Sequence, residues 1–430
     1  MSLSKRTQIF YGMGVSYAIV DQIFAQWLLY FYMPSESSGL KPIMAPVFVS
    51  IAFAISRVVD MITDPAVGYI SDKVNTRWGR RIPFIAAGSI PLGLSTVALF
   101  FPPASSGTAA FIYLAAVGSL FFTFYTIVGA PYNALIPEIG NTMEERLNLS
   151  TWQSVFRLLY TAVAMIIPGY LIKIIGNGDT VYGIRGMVIV LSFFAALGGY
   201  ITVFGVSEKN YSKGETSKIS FKETVTLITS NKNFIFYLFG LLFFFVGFNT
   251  LRATMNYYVE DIMGYGKGEI TAASAILFGM SALFFYPTNK LSKKIGYRKV
   301  MLGCLVLLTI FTVMLFMIGK ILPESFGFIL FGLIGIPVAG GAFIFPPAML
   351  SEISSKITEK TGNKIEGICF GIQGFFLKMA FMISILVLPF ILAFGGTDGA
   401  ATKYGIYATA IFAAISFVIA FFFYYKYEEK

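Results

Sequence analysis

The chain has 430 residues, 56% of them hydrophobic and only 13% charged, which is more apolar side chain than a soluble core could hide. It carries a formal net charge of +10, no histidine, and two cysteines, Cys304 and Cys369, both inside apolar stretches. Histidine catalysis, histidine metal ligands and proton relays, disulfide frameworks and zinc sites are excluded, and the solvent this composition implies is lipid, not nucleic acid.

About twelve apolar stretches follow one another, at 10–33, 43–70, 84–103, 108–137, 152–174, 184–206, 234–258, 269–287, 299–320, 324–350, 367–394 and 403–425. Each is near the ~20 residues that a spanning helix requires. Many of the 42 glycines and 17 prolines fall inside them, which suits spanning helices that pack closely and kink. Met1 to Gln8 are polar and lead into the first stretch with no small-residue cleavage site, so no removable signal peptide is expected. With the N-terminus placed in the cytoplasm, the basic residues of the connections gather on that side; only Lys41, Lys173, Arg185, Lys267, Lys320 and Lys403 fall on the other. This bias predicts an even number of spans in the plasma membrane with both termini cytoplasmic.

The longest polar connection divides the chain into an N-terminal bundle at 1–206, a cytoplasmic linker at 207–233 and a C-terminal bundle at 234–430. The halves echo each other. Ala134-Leu135-Ile136-Pro137-Glu138-Ile139 returns as Ala348-Met349-Leu350-Ser351-Glu352-Ile353, and Gly79-Arg80-Arg81 has a counterpart around Gly296-Tyr297-Arg298-Lys299. The expected fold is an all-α membrane protein, twelve transmembrane helices in two pseudo-symmetric six-helix bundles, the arrangement that alternating access requires. Pro131 and Pro137 on the fourth helix, and Pro346-Pro347 on the tenth, predict matching kinks.

Charges inside spans are expensive and mark function by default. They are Asp21, Arg57, Asp60, Asp64, Arg157, Arg252 and Lys378. Asp60 and Asp64, four residues apart on the second helix, share one face a turn apart, with Arg57 on the same stripe. Two such carboxylates can chelate a hard monovalent cation through oxygen or share a proton. The competing reading is an internal Arg57–Asp60 salt bridge that only neutralises buried charge. Asp21 lies near the middle of the first helix and is read as cavity-lining, the alternative being a buried partner for Arg157 or Lys378. Arg157 and Arg252 either snorkel to an interface or bind solute. Trp27 is a candidate stacking face, whereas Tyr30 and Tyr32 read as interfacial belt residues.

Arg57-Val58-Val59-Asp60-Met61-Ile62-Thr63-Asp64-Pro65, followed by Gly68, Ser71-Asp72 and Trp78-Gly79-Arg80-Arg81, resembles the signature of the glycoside-pentoside-hexuronide cation symporters, the melibiose permease family of the major facilitator superfamily. Pro131-Tyr132-Asn133-Ala134-Leu135-Ile136-Pro137-Glu138, then Glu145-Arg146-Leu147, is similar to its fourth-helix motif, and Glu366, Gln373 and Lys378 fall at its eleventh-helix spacing. The resemblance covers essentially the whole chain. It implies that Asp60, Asp64 and Thr126 hold the coupling cation, that Lys378 faces the central cavity, and that the loop from Gly68 and Asp72 to Arg80 and Arg81 forms a gating latch. The chain also departs from the family. Gly129 stands where the melibiose permeases place an aspartate, Asn133 replaces the following tryptophan, Ala18 and Ile19 align with a Lys-Asp pair, and Arg157 sits three residues beyond the family's arginine.

The function so implied is symport of a sugar, glycoside or related small polar solute, driven by Na⁺ or H⁺. Asp21, Trp27, Asn133, Arg157, Gln373 and Lys378 are then the solute candidates. Asp60 and Asp64 would ligate Na⁺ if sodium drives transport. The expected partners are solute, monovalent cation and lipid, with no cofactor beyond the coupling ion, no nucleic acid and no second subunit. The alternative is a relative moving a lysolipid, organic anion or drug-like solute. A non-transporting sensor would not need two midspan aspartates on one face, and no nucleophile, base or metal constellation points to an enzyme.

Overall fold

A computed structural model describes residues 3–35, 40–74, 76–103, 107–211, 231–361, 366–396 and 399–428. Among these residues the chain forms twelve helical rods and no sheet beyond isolated bridges. In the first half they are α1, running from Lys5 to Tyr32, then α2 (Pro46–Lys73), α3 (Ile82–Ala98), α4 (Gly107–Ile139), α5 (Met143–Gly176) and α6 (Thr180–Gly205). A single turn, Glu208–Tyr211, follows. In the second half, α7 (Lys232–Tyr257) continues as a π-turn over Tyr258–Ile262 and is followed by α8 (Lys267–Ile295) and α9 (Tyr297–Met317). α10 comprises Phe326–Val338, a π-segment Ala339–Ile344 and Phe345–Thr361; α11 (Glu366–Leu392) and α12 (Lys403–Lys426) complete the chain.

Ten of the helices are long and apolar enough to cross a membrane. α3, at 17 residues, rises about 26 Å at ~1.5 Å per residue, close to the ~30 Å hydrocarbon core. α1 is expected as one regular span, but it changes pitch repeatedly. Lys5–Met13 is α-helical, Gly14–Tyr17 is 3₁₀, Ala18–Ile23 is α, Phe24–Leu28 is π and Leu29–Tyr32 is α. Each change of pitch re-aims the side chains that follow, and such irregularities concentrate at functional sites.

Contacts divide the molecule into two units, Met1–Pro34 with Lys41–Thr216 and Ser35–Leu40 with Ser217–Lys430. Most of the linker expected at 207–233 lies outside the described residues. Within the first unit α1 packs on α5 and α6, α2 on α4, and α3 on α4 and α6. Within the second, α7 packs on α11 and α12, α8 on α10, and α9 on α10 and α12, the same pattern displaced by six helices. The echo reaches individual bonds. Tyr11 Oη donates to the Tyr132 carbonyl at 3.4 Å, and Tyr237 Oη donates to the carbonyl of Pro346, the residue matching Tyr132 in the internal repeat, at 2.7 Å.

Packing of α1, α2 and α4 is aromatic. The buried Phe24 ring lies 5.5 Å from Phe53, 5.1 Å from Phe121 and 4.9 Å from Phe122, a contact set that fixes α1 against the two helices carrying the acidic pair. α1 also meets α6 through small residues: Ser16 Oγ donates to the Ala195 carbonyl at 2.6 Å, and a Cβ on Gly198 would collide with Ser16. Outward faces are the opposite of a soluble surface, with Leu94, Phe193 and Phe204 exposed by 65%, 64% and 81%. Apolar area of that extent needs lipid around it.

Candidate ion and solute site

The acidic pair meets α4. Thr126 Oγ1 is 3.0 Å from Asp60 Oδ1 and 2.9 Å from Asp64 Oδ1. Asp60 and Thr126 are buried and Asp64 is half-buried. A hydroxyl has one hydrogen, so Thr126 can donate to only one of these oxygens at a time. With both carboxylates ionised, the other anionic oxygen faces a lone pair. A proton or a hard cation among the three oxygens removes that conflict.

Arg57 stands a turn before Asp60, with Nη1 2.9 Å from Asp60 Oδ2 and its guanidinium 3.9 Å from the centroid of the Phe122 ring. The salt bridge of the competing reading is therefore present. It leaves Asp60 Oδ1 and Asp64 Oδ1 directed at Thr126. Arg57 therefore neutralises one side of Asp60 and leaves the other carboxylate oxygen available to an ion shared with Asp64.

A second polar cluster surrounds Tyr17, the last residue of the 3₁₀ segment of α1. Arg157 Nη2 donates to Tyr17 Oη at 3.0 Å, Asn133 Nδ2 approaches the same oxygen at 3.4 Å, and Gln153 Nε2 donates to Asn133 Oδ1 at 2.7 Å. Asn133 and Arg157 are exposed although both lie in spanning helices. An exposed arginine in such a position faces water, not acyl chains. Asp21 is half-buried on α1, and its charge reaches Arg157 and Tyr125. Tyr17 itself is held edge-on by Tyr125 and Tyr132, at 5.3 and 5.7 Å. A Cβ on Gly129 would stand 3.6 Å from the Tyr17 ring, so tyrosine fills the space beside the position where the resembled family carries its acid.

Several expectations need correction. Trp27 is fully enclosed with its ring against Tyr30, and it offers a sugar no open face. Tyr30 and Tyr32 are likewise buried inside the protein and do not face lipid headgroups, and Tyr32 Oη donates to the Leu99 carbonyl at 3.0 Å. Arg252 does not snorkel: it is buried with its guanidinium 5.9 Å from the Phe381 ring centroid. Arg157 does not snorkel either, since it is tied to Tyr17. Gln373 is buried and Lys378 half-buried on α11 of the second unit.

The loop after α2 forms a cluster of its own. Arg80 forks onto Glu138 with Nη2 2.7 and 2.8 Å from the two carboxylate oxygens, Arg81 Nη2 lies 3.5 Å from Glu138 Oε1, and Arg81 Nη1 donates to Ser71 Oγ at 2.5 Å. The buried Glu208 carboxylate accepts the backbone N–H groups of Arg80, Arg81 and Ile82 at 2.7, 2.8 and 3.0 Å. It thereby caps the N-terminus of α3 from far along the chain. Gly68 borders open space, and the Asp72 side chain lies outside the described residues. Sequence reasoning missed Tyr17, Gln153 and Glu208. The four-residue steps from Tyr17 to Asp21 and from Gln153 to Arg157 carry a helical-face signal for the first two; Glu208, a lone acid in a polar stretch, has no local pattern.

The sequence profile of the MFS/sugar transport protein family matches residues 10–427. The chain belongs to that family. This MFS/sugar transport protein is 26% identical over 439 residues to Inner membrane symporter YicJ of Escherichia coli (strain K12), covering 98% of this chain and 88% of that protein. It is 26% identical over 403 residues to Putative glycoside/cation symporter YagG of the same organism, covering 91% and 83%. A bacterial homologue of the human lysosomal transporter Spinster, inward-facing and unoccupied, superposes with a TM-score of 0.69 at 13% identity over 98% of this chain and 96% of that one, a likeness of fold. The MFS/sugar transport protein is thus a multi-pass membrane transporter of the major facilitator fold.

Proposed function

We propose that the protein is a symporter that couples the entry of one monovalent cation to the movement of a sugar, glycoside or related small polar solute. The observation that carries this reading is the convergence of Asp60 Oδ1 and Asp64 Oδ1 on the single Thr126 hydroxyl beside one guanidinium. Two carboxylate oxygens and a hydroxyl oxygen at this spacing offer hard ligands to a monovalent cation, and the coupling ion, Na⁺ or H⁺, binds among them.

The solute cluster of Tyr17, Asn133, Gln153 and Arg157 presents hydrogen-bonding groups suited to a hydroxyl-rich molecule. α4 joins the two sites. Thr126 and Asn133 are seven residues apart, about 10 Å along one face of the helix. Loading the carboxylates therefore acts on the helix that also bears a solute contact, which is how a bound ion can favour the solute-competent state. The two repeated bundles then alternate access to the site. The resemblance to the glycoside/cation symporters supports the solute class, and the basic bias of the connections supports a plasma membrane protein with both termini in the cytoplasm.

Uptake by proteoliposomes under imposed Na⁺ or H⁺ gradients tests this. A panel of labelled sugars and glycosides is expected to contain one whose accumulation requires one of the two gradients, and Arg157→Gln is expected to weaken its half-saturation at least tenfold. Gradient-dependent uptake of a lysolipid or organic anion, with no sugar transported or competing, overturns the solute class.

A further inference from the structure

The second unit carries a groove of about 470 Å³ where the end of α9 meets α11 and α12. Its long wall is one face of α12, where Tyr407, Ile411 and Ile415 recur every four residues. Phe394 at the end of α11 lines it opposite and is 67% exposed, and Ile415 is 53% exposed. From Tyr404 to Ile415 the wall rises about 16 Å at ~1.5 Å per residue. That is close to half of the ~30 Å hydrocarbon core, the depth of one leaflet.

One end of this apolar groove is charged, with Lys320 and Lys403 outweighing one exposed carboxylate, Glu324, whose charge reaches Tyr407. Lys320 lies just past the end of α9, and its ammonium sits 3.5 Å from the Phe316 ring centroid and 3.8 Å from that of Tyr407. The two rings stand edge to face at 5.6 Å. Tyr407 Oη donates to the Ile318 carbonyl at 2.6 Å and so ties the loop that bears the lysine to α12. The amine is held in place by two π-faces, which point a normally mobile charge at the mouth of the groove. Lys403 opens α12 one turn before Tyr407, on the same helical face, and adds a second positive charge at the same end.

An apolar channel one leaflet deep, with fixed ammonium groups at its polar end, matches a phospholipid in both dimension and charge. We propose that this groove is a binding site for one anionic phospholipid. An acyl chain lies along α12 from Tyr407 towards Ile415, and the phosphate seats at Lys320 and Lys403. A headgroup carrying its own quaternary ammonium brings positive charge to the same lysines, so the site favours phosphatidylglycerol over phosphatidylcholine.

Native mass spectrometry of the full chain released from vesicles of equal phosphatidylglycerol and phosphatidylcholine content reads the preference. The unaltered protein is expected to retain one phosphatidylglycerol several-fold more often than phosphatidylcholine. Lys320→Glu is expected to abolish the preference, and Ala408→Trp, which fills the groove, to lower retention of both lipids. A second measurement needs no variant: a phosphatidylglycerol with a photoreactive acyl chain is expected to label α12 between Tyr404 and Ile415 and α11 near Phe394. Equal retention of the two lipids by the unaltered protein, or label spread evenly over all the lipid-facing helices, overturns the proposal.

Discussion

Thr126 on α4 holds its hydroxyl oxygen 2.9 Å from Oδ1 of Asp64 on α2. The same oxygen serves Asp60 at 3.0 Å, so its lone pairs are placed to complete an ion's shell between the two carboxylates. Thr126→Ala removes that ligand with little change of volume, whereas Thr126→Ser keeps it. The alanine variant is expected to raise the cation concentration for half-maximal uptake about tenfold, equivalent to about 1.4 kcal/mol, and the serine variant to stay within about twofold. Titrating the driving cation in uptake assays checks both.

Arg57 pairs with an Asp60 that has no exposure to solvent. Removing one partner of a buried ion pair strands the other, at a cost of about 3–5 kcal/mol. Arg57→Met alone is therefore expected to lower the thermal midpoint of the purified protein markedly. Arg57→Met combined with Asp60→Asn is expected to recover most of that loss, since the fully buried Asp60 no longer carries a charge. If the double variant is as unstable as the single one, the pair is not what Arg57 contributes.

Glu208 replaces the N-cap that Arg81 does not supply to α3. Glu208→Ala is expected to cost about 1 kcal/mol by analogy with lost helix caps, and Glu208→Gln less, because one acceptor oxygen remains. Hydrogen exchange at the Arg80, Arg81 and Ile82 amides reads this directly. Faster exchange confined to these amides supports the cap, and unchanged exchange contradicts it.

Glu145 lies outside the spanning part of α5 and closes a capping box with Thr142. The Leu3 backbone N–H, then those of Asn141 and Thr142, hold its carboxyl below the ordinary glutamate value, against a smaller opposing effect of desolvation. A depressed folded value gives stability that is fully present above the unfolded value and is lost as pH falls through the folded one. The stability gap between the native chain and Glu145→Gln is expected to stay constant above the glutamate range and to close in acid below it. Thermal midpoints of the two proteins, measured in parallel from neutral pH into acid, check this.

Much of this arrangement was legible in the sequence because lipid imposes a simple code. Apolar stretches long enough to span located the helices, and each of the twelve overlaps one rod, with ends that differ by a few residues where the structure starts the helix later or stops it earlier, as at Pro46 and Ala98. The four-residue step from Asp60 to Asp64 placed both carboxylates on one face without any tertiary information. What escaped depends on contacts between distant elements or on local pitch. Nothing in the residues of α1 announces that Gly14–Tyr17 tightens to 3₁₀ and aims Tyr17 at Arg157 and Asn133. Tyr30 and Tyr32 have the composition of a headgroup belt, yet both are buried inside the protein, where Tyr32 donates to the Leu99 carbonyl. The Glu208 cap joins residues more than 120 positions apart, beyond the reach of any local pattern.

The most direct test of the account compares two assays on Asp64→Asn in proteoliposomes: uphill accumulation of the solute under an imposed cation gradient, and exchange of labelled for unlabelled solute with no gradient. Losing the Asp64 charge is expected to abolish accumulation while exchange continues, because one of the two carboxylates that hold the ion is then a neutral amide. Accumulation at the native level in that variant would contradict the assignment of the cation to Asp60, Asp64 and Thr126.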